Sequence, residues 1–171
     1  MTRPFEVAAS LWSTPGPDRE AHLLMAEPAR RVGAWTAFCD PVAVHVESAG
    51  WGEAVARVRD AGCRPVVALR PGTPLERVAA LPADVGVLVM GVPPGRASSG
   101  FDPATPARLA ALAPRQALGV DGGVDAERAR RCRSRGATWV VSGSSLCSAP
   151  DPTAWLRQAG TGAPRATGSA A

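Results

Sequence analysis

Two glycine-rich turns carry the residue types best suited to gripping an anion. Val120-Asp121-Gly122-Gly123-Val124 is followed further along by Val141-Ser142-Gly143-Ser144-Ser145. Each stands where a β-strand pattern gives way to a helical one. Glycines there leave backbone N–H groups uncovered, and the start of a helix adds partial positive charge. Gly122, Gly123, Gly143 and Ser144 therefore form a candidate cradle for a phosphate dianion. In a β/α barrel the turns after strands seven and eight are a frequent phosphate site. Asp121 adds a carboxylate at the top of one of these strands, so a sugar phosphate is the first ligand to consider. His22 is a second chemically capable residue, in the strand-like segment Ala21-His22-Leu23-Leu24. His45 and Glu47 alternate with Val44 and Val46, share one face of a strand, and read as an interior structural pair.

These residues need a frame, and the hydrophobic pattern supplies one. Short apolar runs rich in β-branched residues alternate with helical patterns, which predicts stacked βα units and a parallel sheet. The predicted strands are Phe5–Leu11, Ala21–Leu24, Val42–Val46, Arg64–Leu69, Val85–Met90, Gln116–Val120 and Thr138–Val141. Thr73-Pro74-Leu75-Glu76 reads as a capping box with proline at the first helical position. Asp102-Pro103 and Asp151-Pro152 repeat an acidic cap followed by proline, and Asp125 caps an arginine-rich helix. Gly62 and Gly136 stop the helices before them. The expected fold is α/β, a TIM-type β/α barrel. At 171 residues the chain is short for a complete one, which typically needs about 250.

One link breaks the rhythm. Only Thr14-Pro15-Gly16-Pro17-Asp18-Arg19-Glu20 separates the end of the first strand pattern from the start of the second. Such a stretch spans at most ~24 Å, and its prolines and glycine exclude the helix that a parallel crossover normally contains. The barrel is therefore expected to be incomplete, with about seven strands. Residues 1–159 are expected to form one domain, and 160–171 a disordered tail.

Composition bounds the partners. The net charge of +4 is modest, and there is no lysine, so arginine carries every fixed positive charge. Arg128, Arg130, Arg131, Arg133 and Arg135 spread around their helix instead of forming a stripe, which reads as a solvated face and not a nucleic-acid site. Cys39, Cys63, Cys132 and Cys147 show no metal or disulfide spacing and read as reduced thiols. No apolar run is long enough to span a membrane, and residues 1–13 do not read as a secretion signal. The chain is thus expected to be cytoplasmic. An open barrel exposes a sheet edge, which favours pairing with a second copy of the chain.

Taken together, six segments resemble the ribulose-phosphate 3-epimerase family of metal-dependent TIM barrels. They are Ala21-His22-Leu23-Leu24, Val44-His45-Val46-Glu47, Ala68-Leu69-Arg70-Pro71-Gly72-Thr73-Pro74, Val87-Leu88-Val89-Met90-Gly91-Val92-Pro93-Pro94-Gly95, Val120-Asp121-Gly122-Gly123-Val124 and Ser142-Gly143-Ser144-Ser145-Leu146. Their order and spacing match the family from about residue 20 to 157. Val7-Ala8-Ala9-Ser10-Leu11-Trp12-Ser13 is similar to the family's first strand, which places Ser10 at a substrate-contacting serine.

The resemblance implies inversion of the carbinol centre next to the ketone of a pentulose phosphate, ribulose 5-phosphate and xylulose 5-phosphate being the pair. It implies Asp121 as catalytic acid/base and metal ligand, and His22 as a further ligand of a divalent ion (Zn, Fe, Mn or Co). Ser10, Gly95, Gly122, Gly123, Gly143 and Ser144 would contact the substrate and its phosphate. The family's His-x-Asp-x-Met-Asp-Gly-His segment, source of two further ligands and the second base, has no counterpart in residues 1–40. Its absence coincides with the short link, so a whole second βα unit is expected to be missing. The family's phosphate-covering loop, roughly Asn-Pro-Gly-Phe-Gly-Gly-Gln, is here Pro93-Pro94-Gly95-Arg96-Ala97-Ser98-Ser99, stiffer and with a cation in Arg96. Leu24 replaces a methionine of the metal-side lining, while Met90 keeps its counterpart. Two functions follow: an isomerase of this type with impaired turnover, or a non-catalytic descendant that still binds a sugar phosphate.

Overall fold

The computed structural model describes residues 6–9, 20–93 and 100–160, with the backbone alone for 6–9. Its strands are β1 (Glu6–Ala9), β2 (Ala21–Leu23), β3 (Val42–His45), β4 (Pro65–Leu69), β5 (Gly86–Met90), β6 (Leu118–Asp121) and β7 (Trp139–Ser142). They form one seven-stranded sheet in the order β1-β7-β6-β5-β4-β3-β2, every pairing parallel. The last two strands run one residue further than their apolar patterns suggested, which makes Asp121 and Ser142 strand ends and not turn residues.

Strands β1 and β7 are paired, but β1 and β2 are not. The barrel is therefore open at one seam, the place where the short link pointed to a missing βα unit. It is curled nonetheless. Neighbouring strands lie about 4.8 Å apart, so four steps across a flat sheet would part β2 from β6 by about 19 Å. His22 of β2 instead touches Asp121 of β6 at 3.3 Å.

The two faces of the sheet pack differently. Val42, Val44, Val67, Leu69, Val87, Val89, Leu118 and Val120 point outward into a large core with helical residues such as Val55, Val58 and Leu109. Inward lie Ala43, Val66, Ala68, Leu88 and Met90, with Trp139 against them. Burial on both sides explains why β3 to β5 read as continuous apolar runs instead of alternating ones. The interior is narrow. A Cβ on Gly119 would sit 2.2 Å from the Trp139 ring, so only glycine lets that indole lie across β6.

The helices are α1 (Val32–Thr36), α2 (Trp51–Asp60), α3 (Glu76–Ala79), α4 (Thr105–Leu112), α5 (Ala126–Arg133), α6 (Ser144–Cys147) and α7 (Pro152–Ala159). Asp125 caps α5 by accepting from the Arg128 N–H, and Asp151 caps α7 by accepting from the Ala154 N–H. Asp102 instead accepts from the Ala104 N–H, an Asx turn just ahead of α4. The expected capping box before α3 does not form: the helix starts only at Glu76, with Leu75 as its N-cap and no side-chain cap, and the Thr73 hydroxyl donates to Glu47. On α5, Ala126, Ala129 and Cys132 are buried while its arginines stay outside. Burial pushes the Cys132 thiol up to about 11, and no disulfide joins the cysteines among the described residues. Gly160 ends α7 with a left-handed φ of +86°. Residues 161–171 lie outside the described residues.

Candidate functional site

Parallel strands place all their C-terminal ends on one side of a sheet, and the chemistry gathers there. Asp121 is the last residue of β6 and His45 the last of β3, while His22 sits in the middle of β2. Register pairs His22 with Ala43, an inward-facing position, and His45 follows Ala43 by two residues, so both imidazoles face the interior.

Curling brings these side chains into a continuous line. Asp121 Oδ2 lies 3.3 Å from His22 Nδ1. His22 Nε2 lies 2.9 Å from His45 Nε2. His45 Nδ1 lies 3.2 Å from Glu47 Oε2. The opposite oxygen of Glu47 accepts from the Arg70 N–H at 3.1 Å and from the Thr73 hydroxyl. The imidazole rings are nearly coplanar, 12° apart with centroids 5.0 Å distant, as an in-plane contact between ring nitrogens requires. Side-chain exposure falls from 24% at Asp121 through 17% at His22 to 1% at His45. The solvent-facing end of the line is thus the carboxylate.

Electrostatics follow burial. Desolvation, reinforced by the neighbouring His22, holds His45 below its ordinary value of 6.5 although Glu47 pulls the other way. Burial pushes Glu47 up, but hydrogen bonds from Thr73 and the Arg70 backbone outweigh it, so its carboxyl stays below the ordinary range. Glu20 was not anticipated as part of this cluster. Burial raises its pKa, His22 lowers it, and Asp121 raises it again. The signal was there in the spacing: Glu20 and His22 are two residues apart at the start of a strand and so share a face.

The two glycine turns leave adjacent strands, since Asp121 pairs with Val141 in the β6–β7 register. The Ser142 hydroxyl donates to the Val124 carbonyl at 2.8 Å and ties one turn to the other. Gly122 and Gly123 adopt φ of +94° and +67°, which favours glycine there. Among the described residues, the N–H groups of Gly122, Gly123, Gly143 and Ser144 have no protein acceptor. The helical contribution to a cradle is weaker than expected. Helix α5 is already capped by Asp125, and α6 is a single four-residue turn. Any anion grip here rests on the turns' own amides.

Ser10 and Gly95 lie outside the described residues, as does Arg96. Met90 lies in the inward cluster, but Leu24 is 56% exposed and does not line the interior. It flanks a groove of about 450 Å³ that opens beside Glu47 and is shared by Met25, Ser48 and Arg70.

The implied divalent ion can be tested against the donors present. His22 and Asp121 are brought together, but no cluster of three or more His, Cys, Asp or Glu side chains suited to a metal forms among the described residues. Two protein donors fall short of the three or four that hold a resident ion. The described residues do not fit such a site, and the chemistry is assigned to the protein's own side chains.

The fold and site define a class: an open parallel β/α barrel with a carboxylate–imidazole pair at the C-terminal ends of its strands. Comparisons with known proteins make this specific. The chain matches the ribulose-phosphate 3 epimerase family over residues 8–147, and it belongs to that family. It is 33% identical over 144 residues to the cytoplasmic isoform of ribulose-phosphate 3-epimerase of Oryza sativa subsp. japonica, covering 78% of this chain and 63% of that protein. It is 29% identical over 174 residues to ribulose-phosphate 3-epimerase of Mycobacterium tuberculosis, covering 94% and 76%. The chain thus spans less than two thirds of the rice enzyme's length. Among solved structures, 3-hexulose-6-phosphate synthase from Salmonella typhimurium superposes with a TM-score of 0.64 at 19% identity, covering 83% of this chain and 71% of that one. That likeness concerns the barrel fold alone.

Proposed function

We propose that this chain binds a pentulose phosphate at the C-terminal ends of its strands and moves the proton next to the ketone, with Asp121 as the proton-transferring group. The single observation that carries this reading is the contact of Asp121 with His22 across the barrel interior, beside turns whose amides have no acceptor among the described residues. The family and its ribulose-phosphate 3-epimerase relatives supply the substrate class.

In this reading the Asp121 carboxylate takes the proton from the carbinol carbon. The C–H electron pair becomes the C=C bond of an enediolate, and the ketone oxygen takes up the negative charge. The amides of Gly122, Gly123, Gly143 and Ser144 hold the phosphate, while Ser10 and Gly95 are substrate contacts that only the family resemblance implies. A proton returned by Asp121 comes back to the face it left. Inversion needs a donor on the other face, and the segment that supplies one in the family is absent from this chain. Solvent exchange should therefore outrun inversion.

The test is ribulose 5-phosphate in D2O, followed by NMR for deuterium at the carbinol carbon and for xylulose 5-phosphate. Exchange faster than epimerisation supports impaired turnover. Saturable binding with no exchange supports the second reading, a non-catalytic binder, which the two-donor site favours. Neither binding nor exchange ends both. The ligand is a small sugar phosphate in either case, with no nucleic acid or membrane involved. Among the described residues no helix is long and apolar enough to cross a membrane.

A further inference from the structure

The sequence reads Arg128 as part of a solvated helix face, but its side chain folds back over the start of α5. Nη1 donates to the Gly123 carbonyl at 2.8 Å. Cζ lies 5.2 Å from the centre of the Phe101 ring. Nε stands 3.4 Å from Asp125 Oδ2, on the same carboxylate that accepts from the Arg128 N–H. Phe101 packs against the turns as well: a Cβ on Gly91 would stand 2.6 Å from its ring, and one on Gly123 3.7 Å. The guanidinium is thus held from three directions, at the turn that follows Asp121.

We propose that Arg128 is a positioning residue for the phosphate grip, and that by holding the Gly123 carbonyl it aims the N–H of Val124 at the anion beside that of Gly123. The inference rests on the reading of these turns as the site for a phosphate monoester and deepens it. A trans peptide unit is planar, and its C=O and N–H point in opposite directions. The cis bonds precede Pro41 and Pro114, far from this turn. Both carbonyls of the turn are accounted for. The Gly122 oxygen lies 2.5 Å from where a Cβ on Gly91 would stand, so the Gly123 N–H points away from the end of β5. The Gly123 oxygen faces Arg128, so the Val124 N–H points away from the guanidinium. Neither N–H has an acceptor among the described residues.

The turn needs such an anchor. Two successive glycines at positive φ have the widest backbone freedom of any residue pair, and ordering them costs entropy at the moment of binding. A side chain that already holds the peptide plane removes part of that cost. Charge attraction is the lesser effect, because Asp125 faces the same guanidinium and offsets its field.

Titration of inorganic phosphate into the whole chain, followed by calorimetry, tests the proposal. Arg128→Met keeps the aliphatic stem and loses the donor, and should weaken phosphate binding about 5-fold to 10-fold, the net contribution of one hydrogen bond. Arg130→Met removes the same charge from the same helix and should change binding less than about 2-fold, as a screened, exposed charge does. In deuterium exchange of ribulose 5-phosphate, Arg128→Met should raise KM more than it lowers the rate at saturation, the mark of a contact that binds without entering the chemistry. In wild-type 15N spectra, phosphate should move the Gly123 and Val124 amide peaks. Equal phosphate affinity in wild type and folded Arg128→Met overturns the proposal, and so does an equal loss in Arg130→Met. Wild-type spectra in which phosphate leaves both amides unmoved overturn it even where a variant fails to fold, and substrate exchange in that same protein would leave the proposed function standing. Arg128-dependent phosphate binding in a protein that exchanges no substrate hydrogen would sink the proposed proton transfer and keep the positioning role.

Discussion

The wall from β3 to β6 and the seam between β1 and β2 are built from the same strand type, yet only the wall is complete. Each strand of the wall is paired on both sides and followed by a helix that covers its outer face. At the seam β1 joins β7, and β2 pairs on one side only. The candidate site follows this division. Asp121 and His45 end strands inside the wall, and His22 hangs from β2 but reaches inward to both. What the contrast teaches is that a barrel can lose a neighbour pair at one place and still curl. Curling needs a buried inner face, and the small residues Ala43, Ala68 and Gly119 provide one narrow enough to close.

The comparison can be broken most directly at the wall's chemical end. Asp121→Asn should lower deuterium exchange of ribulose 5-phosphate by about 10²- to 10⁴-fold, the usual contribution of a positioned acid/base. Its melting temperature should stay within a few degrees of wild type. Equal exchange in both proteins would remove Asp121 from the chemistry.

Next in size is a pair of truncations. Leu88→Ala, fully buried in the wall, should cost about 2–5 kcal/mol in urea unfolding, whereas Leu24→Ala, exposed beside β2, should change stability by about 0.5 kcal/mol or less. Similar losses at both positions would mean that the seam is packed as tightly as the wall.

A smaller effect is expected at the glycine turns. A Cβ on Gly122 would meet Val92 Cγ2 at 2.5 Å with φ at +94°, so Gly122→Ala should cost about 1–3 kcal/mol. It should also weaken binding of inorganic phosphate, measured by calorimetry. Unaltered phosphate binding in a folded variant would place the anion site elsewhere.

The smallest change is in pH dependence. His45 is held below 6.5 by burial and by His22. The unfolded chain therefore takes up a proton at this residue at a higher pH than the folded chain does. Where the unfolded state binds more protons, stability falls as pH falls. The contribution is complete above about 6.5 and is lost progressively down to the depressed folded value. Thermal melts across this window should show a drop that His45→Asn removes.

Much of the frame was legible in the residues themselves, for local reasons. Asp125 and Asp151 cap their helices as read, because an N-cap hydrogen bond spans only three residues. The seam was visible because the link before it is too short and too rich in proline for a helical crossover. Thr73 was misread for the converse reason. A capping box assumes that the helix begins right after Thr73, but tertiary packing starts it at Glu76 with Leu75 as N-cap, while the Thr73 hydroxyl donates to Glu47.

Sequence alone thus determined most of the strand and helix elements and the interrupted barrel. Only tertiary structure decided that Asp121, His22, His45 and Glu47 form one line, and that Glu20 senses two of them. The reason is geometric. Periodicity tells which face of a strand a side chain takes, but contact between strands far apart in the sheet depends on how strongly that sheet curls, and curl is set by the packing of its inner face.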